Sequence, residues 1–272
     1  MSAPDLLWAY CVLRAGDAGP TDARGIGGEV VARVEQGGLA ALVSRVPATE
    51  FAHAPLTRNL DDLDWLAQVA RAHEAVLDDA LARGTIVPLR MCTIFESEQR
   101  VSEMLERQGA RLAGALDALD GRVEWAVKVL VDPEQLVRAA GPRPEASRAA
   151  AGASARGAGA GGAYLRRRRD ERAAREAAGG LAADVARRIH ARLRDWALDA
   201  RTRPPQNRAL SGHEGEMVLN AAYLVERERT EELRGIVGEL GERHRELGAR
   251  IELTGPWPPY NFVPGGRAAS AA

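Results

Sequence analysis

Two histidine–glutamate pairs are the first places to look for chemistry in this chain. His73-Glu74 would open a zinc helix if a second histidine followed one turn on, but Leu77 stands there. His213-Glu214-Gly215-Glu216-Met217 stops short in the same way. His73 lies on an apolar helical stripe and reads as a packed core residue rather than a ligand. Gly25-Ile26-Gly27-Gly28 hints at a phosphate cradle, yet Val30 replaces the third glycine of a dinucleotide-binding turn and no Lys-Ser/Thr follows for a P-loop. No Gly-x-Ser-x-Gly segment offers a serine nucleophile. Asp61-Asp62 and Asp78-Asp79 fall at helix positions facing water and read as solubility rather than acid–base machinery. The one basic run, Arg166-Arg167-Arg168-Arg169, is followed by Asp170, Glu171 and Glu176, which pair with it at helical spacing. These residues lead us to expect no enzyme, no catalytic or metal site and no cofactor.

Bulk properties narrow the partners. The 272 residues are 46% hydrophobic, enough for two packed domains, and 37 basic against 38 acidic side chains give a formal charge of -1. Such a chain has no long-range field for nucleic acid. Cys11 and Cys92 sit far apart in apolar runs, and Met1-Ser2-Ala3-Pro4-Asp5 does not resemble a secretory leader, so we expect reduced thiols and a cytoplasmic location. No stretch approaches the roughly 18 apolar residues of a transmembrane segment.

The elements follow from periodicity. Leu6 to Leu13 is a buried strand, and Gly37-Gly38 between two β-branched runs signals a hairpin. Leu63, Leu66, Ala70, Leu77 and Leu81 mark a helix, with Asn59 as its cap and Gly84 as its stop. Thr85 to Phe95 reads as one strand, which Pro88 confines to an edge or a bulge. Ser97 caps a second helix carrying Val101, Leu105, Leu112, Leu116 and Leu119. Trp125–Val131 is a strand ended by Asp132-Pro133, and about 139–163 reads as a disordered insertion, since ordering it buries almost nothing. A long helix follows, striped by Leu181, Val185, Ile189, Leu193 and Trp196, with Gly179-Gly180 as a possible break and Pro204-Pro205 as its end. A weak strand near Asn207–Leu210, a clearer one from Glu216 to Val225, a helix capped by Thr230 and stopped by Gly248, and a last strand at Ile251 and Leu253 complete the chain. The fold class expected is α+β in two domains: residues 1–121 a mixed α+β domain, and residues 122–254 a βαββαβ, ferredoxin-like domain.

Residues 255–272 form a tail, Gly255-Pro256-Trp257-Pro258-Pro259-Tyr260-Asn261-Phe262 and beyond. Its prolines mean that it can neither continue a strand nor start a helix, leaving an extended or turning segment. Three rings in water are unfavourable by roughly 1.5–3 kcal/mol each, so they dock on the chain's own surface, on a partner, or on both.

Three segments together carry a family resemblance: Val87-Pro88-Leu89-Arg90 running to Phe95, Tyr164-Leu165, and Gly255 to Phe262. With them the whole chain resembles the gas vesicle protein F/L family. Met91-Cys92 stands where that family more often has Phe-Gly. The resemblance implies a non-catalytic accessory protein of gas vesicle formation, associated with the vesicles. It would bind the small hydrophobic major shell protein, with other gas vesicle accessory proteins as further partners, limiting aggregation and helping to nucleate or line the wall. Partner-binding residues are then expected at Trp257, Pro258, Pro259, Tyr260, Phe262, Pro88 and Arg90. The alternative, by analogy with other ferredoxin-like domains, is a regulatory protein that senses a small molecule.

Overall fold

The computed structural model describes residues 5–19, 22–140, 160–205 and 215–263. Contacts group the chain into two units, one of residues 1–124, 224–227 and 256–272, the other of residues 125–223 and 228–255.

The first unit is built on β1 (Asp5–Arg14), whose residues Leu7 to Leu13 are all buried. The hairpin of β2 (Ala32–Gln36) and β3 (Leu39–Pro47) lies on one side of it, antiparallel throughout. Gly37 and Gly38 turn this hairpin with φ of 59° and 80°, the pairing that a two-residue turn between right-twisted strands requires. On the other side β1 meets two short strands, β4 (Val87–Pro88) and β5 (Ile94–Phe95). The register between β1 and β3 shifts between Ala9 and Cys11, leaving Tyr10 as the extra residue of a bulge. Helices α1 (Ala48–Phe51), α2 (His53–Asn59), α3 (Leu63–Arg83) and α4 (Glu98–Leu119) complete the unit, with α3 against β1 and α4 across β1, β2 and β3. Ser97 accepts from the Arg100 N–H (3.4 Å) and caps α4 as expected.

Two expectations change here. The cap of α3 is Asp62, which accepts from the Asp64 and Trp65 N–H groups at 3.0 and 3.1 Å; Asn59 instead ends the separate helix α2, which the long apolar periodicity had hidden. Nor is Thr85 to Phe95 one strand, because the chain turns at Met91-Cys92 between β4 and β5. Cys92 has φ 65°, a left-handed conformation that costs an L-residue roughly 1–2 kcal/mol. Glycine adopts it without strain at some cost in unfolded-state entropy. Cys92→Gly is therefore expected to raise the unfolding free energy by about 0.5–1 kcal/mol, read as an upward shift of the melting midpoint; a downward shift contradicts the strain.

The second unit carries β6 (Arg122–Val131), β7 (Asp199–Thr202), β8 (Glu216–Glu226) and β9 (Ala249–Trp257), in the order β7-β8-β6-β9. Its helices are α5 (Pro133–Ala140), α6 (Ala160–Trp196) and α7 (Thr230–His244). Ala178, Ala182, Val185, Ile189 and Leu193 form the buried stripe of α6, and Gly179-Gly180 does not interrupt it. Trp196 holds α6 to α7: its Nε1–H donates to Glu232 (2.6 Å) and its ring lies 4.6 Å from the Arg229 guanidinium carbon. Gly248, with φ 68°, stops the turn after α7.

Four boundaries differ from expectation. Asp132 caps a helix that the sequence reading omitted: its carboxylate accepts from the Glu134 and Gln135 N–H groups (2.8 and 3.3 Å), and Pro133 takes the first helical position. Ala139 and Ala140 belong to α5 and residues 160–163 to α6, so both ends of the expected insertion are helical; residues 141–159 lie outside the described residues. Helix α6 ends at Trp196 rather than at Pro204, and Asp199–Thr202 is the strand before β8, while the expected strand at Asn207–Leu210 lies outside the described residues. Finally, Arg229 rather than Thr230 is the residue before α7, and it makes no side-chain cap.

Candidate functional site

The C-terminal residues depart most from what prolines alone suggest. Strand β9 runs through Pro256 to Trp257. This corrects the expectation that the segment cannot continue a strand: β9 is the terminal strand of its sheet, and an edge tolerates the missing donor. Beyond it Pro258 and Pro259 are buried and the chain tightens into a turn, with the Tyr260 N–H donating to the Pro258 carbonyl (2.7 Å) and the Phe262 N–H to the Pro259 carbonyl (3.1 Å). Phe262 and Val263 are buried as well.

Two polar clasps hold this segment within the first unit. In one, the buried carboxylate of Glu124 accepts from the Asn261 backbone N–H (3.0 Å) and from Asn261 Nδ2. In the other, Trp8 Nε1–H donates to His73 Nδ1 (3.0 Å). That bond places the proton of the neutral imidazole on Nε2, which faces the Tyr260 hydroxyl at 3.3 Å. The hydroxyl in turn donates to Glu74 Oε1 (3.3 Å), giving a chain from Trp8 through His73 and Tyr260 to Glu74. His73 and Glu74 are consecutive residues of α3, and the Tyr260 hydroxyl lies within reach of both side chains.

Burial governs the electrostatics. It lowers His73 from 6.5 to about 4, only partly opposed by a hydrogen bond to the Leu89 backbone. The Tyr260 phenol is pushed up by burial first and then by the Glu74 carboxylate. Glu74 is raised chiefly by burial, against the Tyr260 hydrogen bond and with a smaller contribution from Asp78. Its Oε2 is buried without a hydrogen-bond partner. The nearby hydroxyl of Ser44 is engaged by the Tyr10 hydroxyl (2.7 Å), which also accepts from the Ile26 N–H (2.9 Å). The network thus resembles a relay in outline but positions a chain segment. Among the described residues, no three His, Cys, Asp or Glu side chains gather to hold a metal ion. A surface cavity of about 560 Å³ lies elsewhere in the first unit, between the Gly37-Gly38 turn and α4 at Leu105 and Gly109.

The expected partner-binding residues separate into two sets. Pro88 is buried in β4, where it pairs with Cys11, and Pro258, Pro259 and Phe262 are buried in the C-terminal segment. Tyr260 is half-buried and turned toward His73. Trp257 is 39% exposed and Arg90 is exposed. His73, Glu74 and Glu124 were not expected at this site. Glu124 carries the one available signal, a carboxylate between Val123 and Trp125 in an apolar strand, where an acid is stable only with a buried donor.

Fold and site together define a mixed α+β protein in which the segment after β9 is held by the buried Glu124 and the half-buried Glu74. The family model for "Gas vesicle synthesis protein GvpL/GvpF" matches residues 6–264, and the chain belongs to that family. It is 41% identical over 264 residues to gas vesicle protein L of Streptomyces sp. (strain CB03234), covering 97% of this chain and 94% of that protein. It is 30% identical over 230 residues to gas vesicle protein F of the same strain, covering 84% and 85%. The crystal structure of GvpF from Anabaena sp. PCC7120 superposes with a TM-score of 0.67 at 19% identity, over 98% of this chain and 100% of that one. GvpF from Microcystis aeruginosa does so with a TM-score of 0.65 at 19% identity, over 95% and 98%. The chain is therefore a gas vesicle accessory protein, and among its described residues no helix is long and apolar enough to cross a membrane.

Proposed function

We propose that this chain binds the hydrophobic major shell protein before assembly, limits its aggregation, and helps to nucleate or line the vesicle wall. Trp257 is the observation that carries the reading: a large ring 39% exposed at the end of an edge strand, directly before a segment clasped in place. A fixed, partly exposed aromatic is the kind of anchor that dominates protein interfaces, because its ordering cost is met before binding. The exposed Arg90 offers a further polar contact, and the buried Pro88, Pro258, Pro259 and Phe262 with the half-buried Tyr260 serve as the frame. The second unit is read as ferredoxin-like, supported by its element order and by the strand order β7-β8-β6-β9.

Co-expression with the shell subunit tests the proposal. The subunit is expected to co-purify with the parent chain. Trp257→Ala is expected to weaken the association by about 2 kcal/mol, roughly 30-fold, with the fold retained by circular dichroism. Failure of the subunit to co-purify with the parent chain sinks the reading; undiminished association of the variant removes Trp257 from it.

A further inference from the structure

Helix α6 continues well beyond the part that packs. Its buried stripe begins at Ala178, and from Tyr164 to Ala177 every side chain except Ala174 is exposed. These fourteen residues extend the helix by about 21 Å at 1.5 Å per residue. A helix that is polar all round gains little from its own side chains, and this one relies on the pairs Arg167–Glu171 (3.8 Å) and Arg172–Glu176 (2.9 Å) and on its anchored second half.

Its charge and apolar side chains are unevenly matched. Six arginines stand against Asp170, Glu171 and Glu176, a net +3 in a chain whose total is -1, so the remaining residues sum to -4. Two arginines are paired, and Arg168 donates to the Tyr164 hydroxyl (3.1 Å) with its guanidinium carbon 5.7 Å from the ring centroid. Arg166, Arg169 and Arg175 have no carboxylate within ion-pair distance among the described residues. Arg166 and Arg169 are three apart, and Leu165 and Arg169 four apart, so the exposed leucine and two unpaired cations share a face. Tyr164 is 50% and Leu165 68% exposed, while Ala173 and Ala177 leave room for close approach farther along.

We propose that residues 164–177 form a docking arm for an acidic amphipathic helix of a partner protein, distinct from the Trp257 surface. Charge complementarity selects an acidic partner. The adjacent apolar pair asks for a hydrophobic seam in it, and the three carboxylates interleaved with the arginines oppose the continuous phosphates of nucleic acid.

The test uses the full chain and a fluorescein-labelled synthetic peptide of Glu/Leu heptads, read by anisotropy. Saturable binding that weakens with added salt is expected, at least tenfold looser for Tyr164→Ala with Leu165→Ala and for Arg166→Glu with Arg169→Glu. Glutamate near a helix start keeps the arm helical, which circular dichroism verifies. A scrambled peptide of equal composition is expected to bind at least tenfold more weakly. The proposal is overturned by absence of binding, by equal binding of the scrambled peptide, by variants that bind like the parent, or by tighter binding of a DNA duplex or phosphatidylglycerol vesicles.

Discussion

Glu124→Ala is expected to lower the unfolding free energy by about 2 kcal/mol, because truncating the acid removes the acceptor of two Asn261 donors at a part-buried site. Asn261→Ala removes the side-chain donor but leaves its backbone N–H on the carboxylate, and is expected to cost about 1–2 kcal/mol. Since the two groups touch, their effects are not independent: the double variant should be less destabilised than the sum by about 1 kcal/mol or more. Urea midpoints for the four proteins provide the measurement. Additive losses would show that the acid and the amide do not cooperate in solution. A protease that cuts after aromatic residues supplies a second readout, with cleavage near Tyr260 or Phe262 accelerated in Glu124→Ala.

The other large effect is a loss of stability on acidification through His73. Its affinity for protons is depressed in the folded chain, from 6.5 to about 4, so the unfolded chain takes up a proton first as the pH falls. Stability from this residue is intact above 6.5, declines below it, and is fully lost near 4, a difference of about 3 kcal/mol. Protonation at Nδ1 also opposes the Trp8 N–H directly. The other groups around the imidazole do not reproduce this sign. Glu74 and Asp78 are raised, so acid relieves rather than imposes their burial, and Tyr10, Cys11 and Tyr260 are pushed upward and stay neutral. His190 and His244 are also lowered by burial and add their own acid dependence. The comparison is therefore between parent and His73→Gln, whose amide supplies an acceptor and a donor without titrating. Between pH 7 and 4.5 the variant should lose about 2.5 kcal/mol less than the parent; equal losses would place His73 in contact with water.

Local chemistry was legible where neighbours in sequence are neighbours in space. The Gly37-Gly38 hairpin, the Ser97 cap and the stripe through Val185, Ile189 and Leu193 depend on residues a few positions apart, and all formed where expected. The misplaced features have a common cause in competing local rules. Asp132-Pro133 ends a strand and starts a helix with the same two residues, and only the second role shows that α5 exists. Pro256 breaks a strand in general but not at the edge of a sheet, and edge position is a property of the assembled fold. The clasps were least accessible: Tyr260 meets Glu74 and His73 across 186 and 187 positions, and Asn261 meets Glu124 across 137. A histidine followed by a glutamate evoked metal chemistry, whereas here the two receive a phenol. Trp257 was legible as a ring in need of cover, though not as the one that β9 leaves partly outside.

The clasps also bear on how the first unit folds. In the first unit, packing the segment around Tyr260 and Asn261 against Glu74, His73 and Glu124 means forming contacts across 186, 187 and 137 positions rather than between neighbours. Until those contacts form, Glu124 and His73 lack Asn261 and Tyr260, and Phe262 is not yet buried. Closing so long a loop is entropically costly, so this unit is expected to fold more slowly than one of the same size built from local contacts.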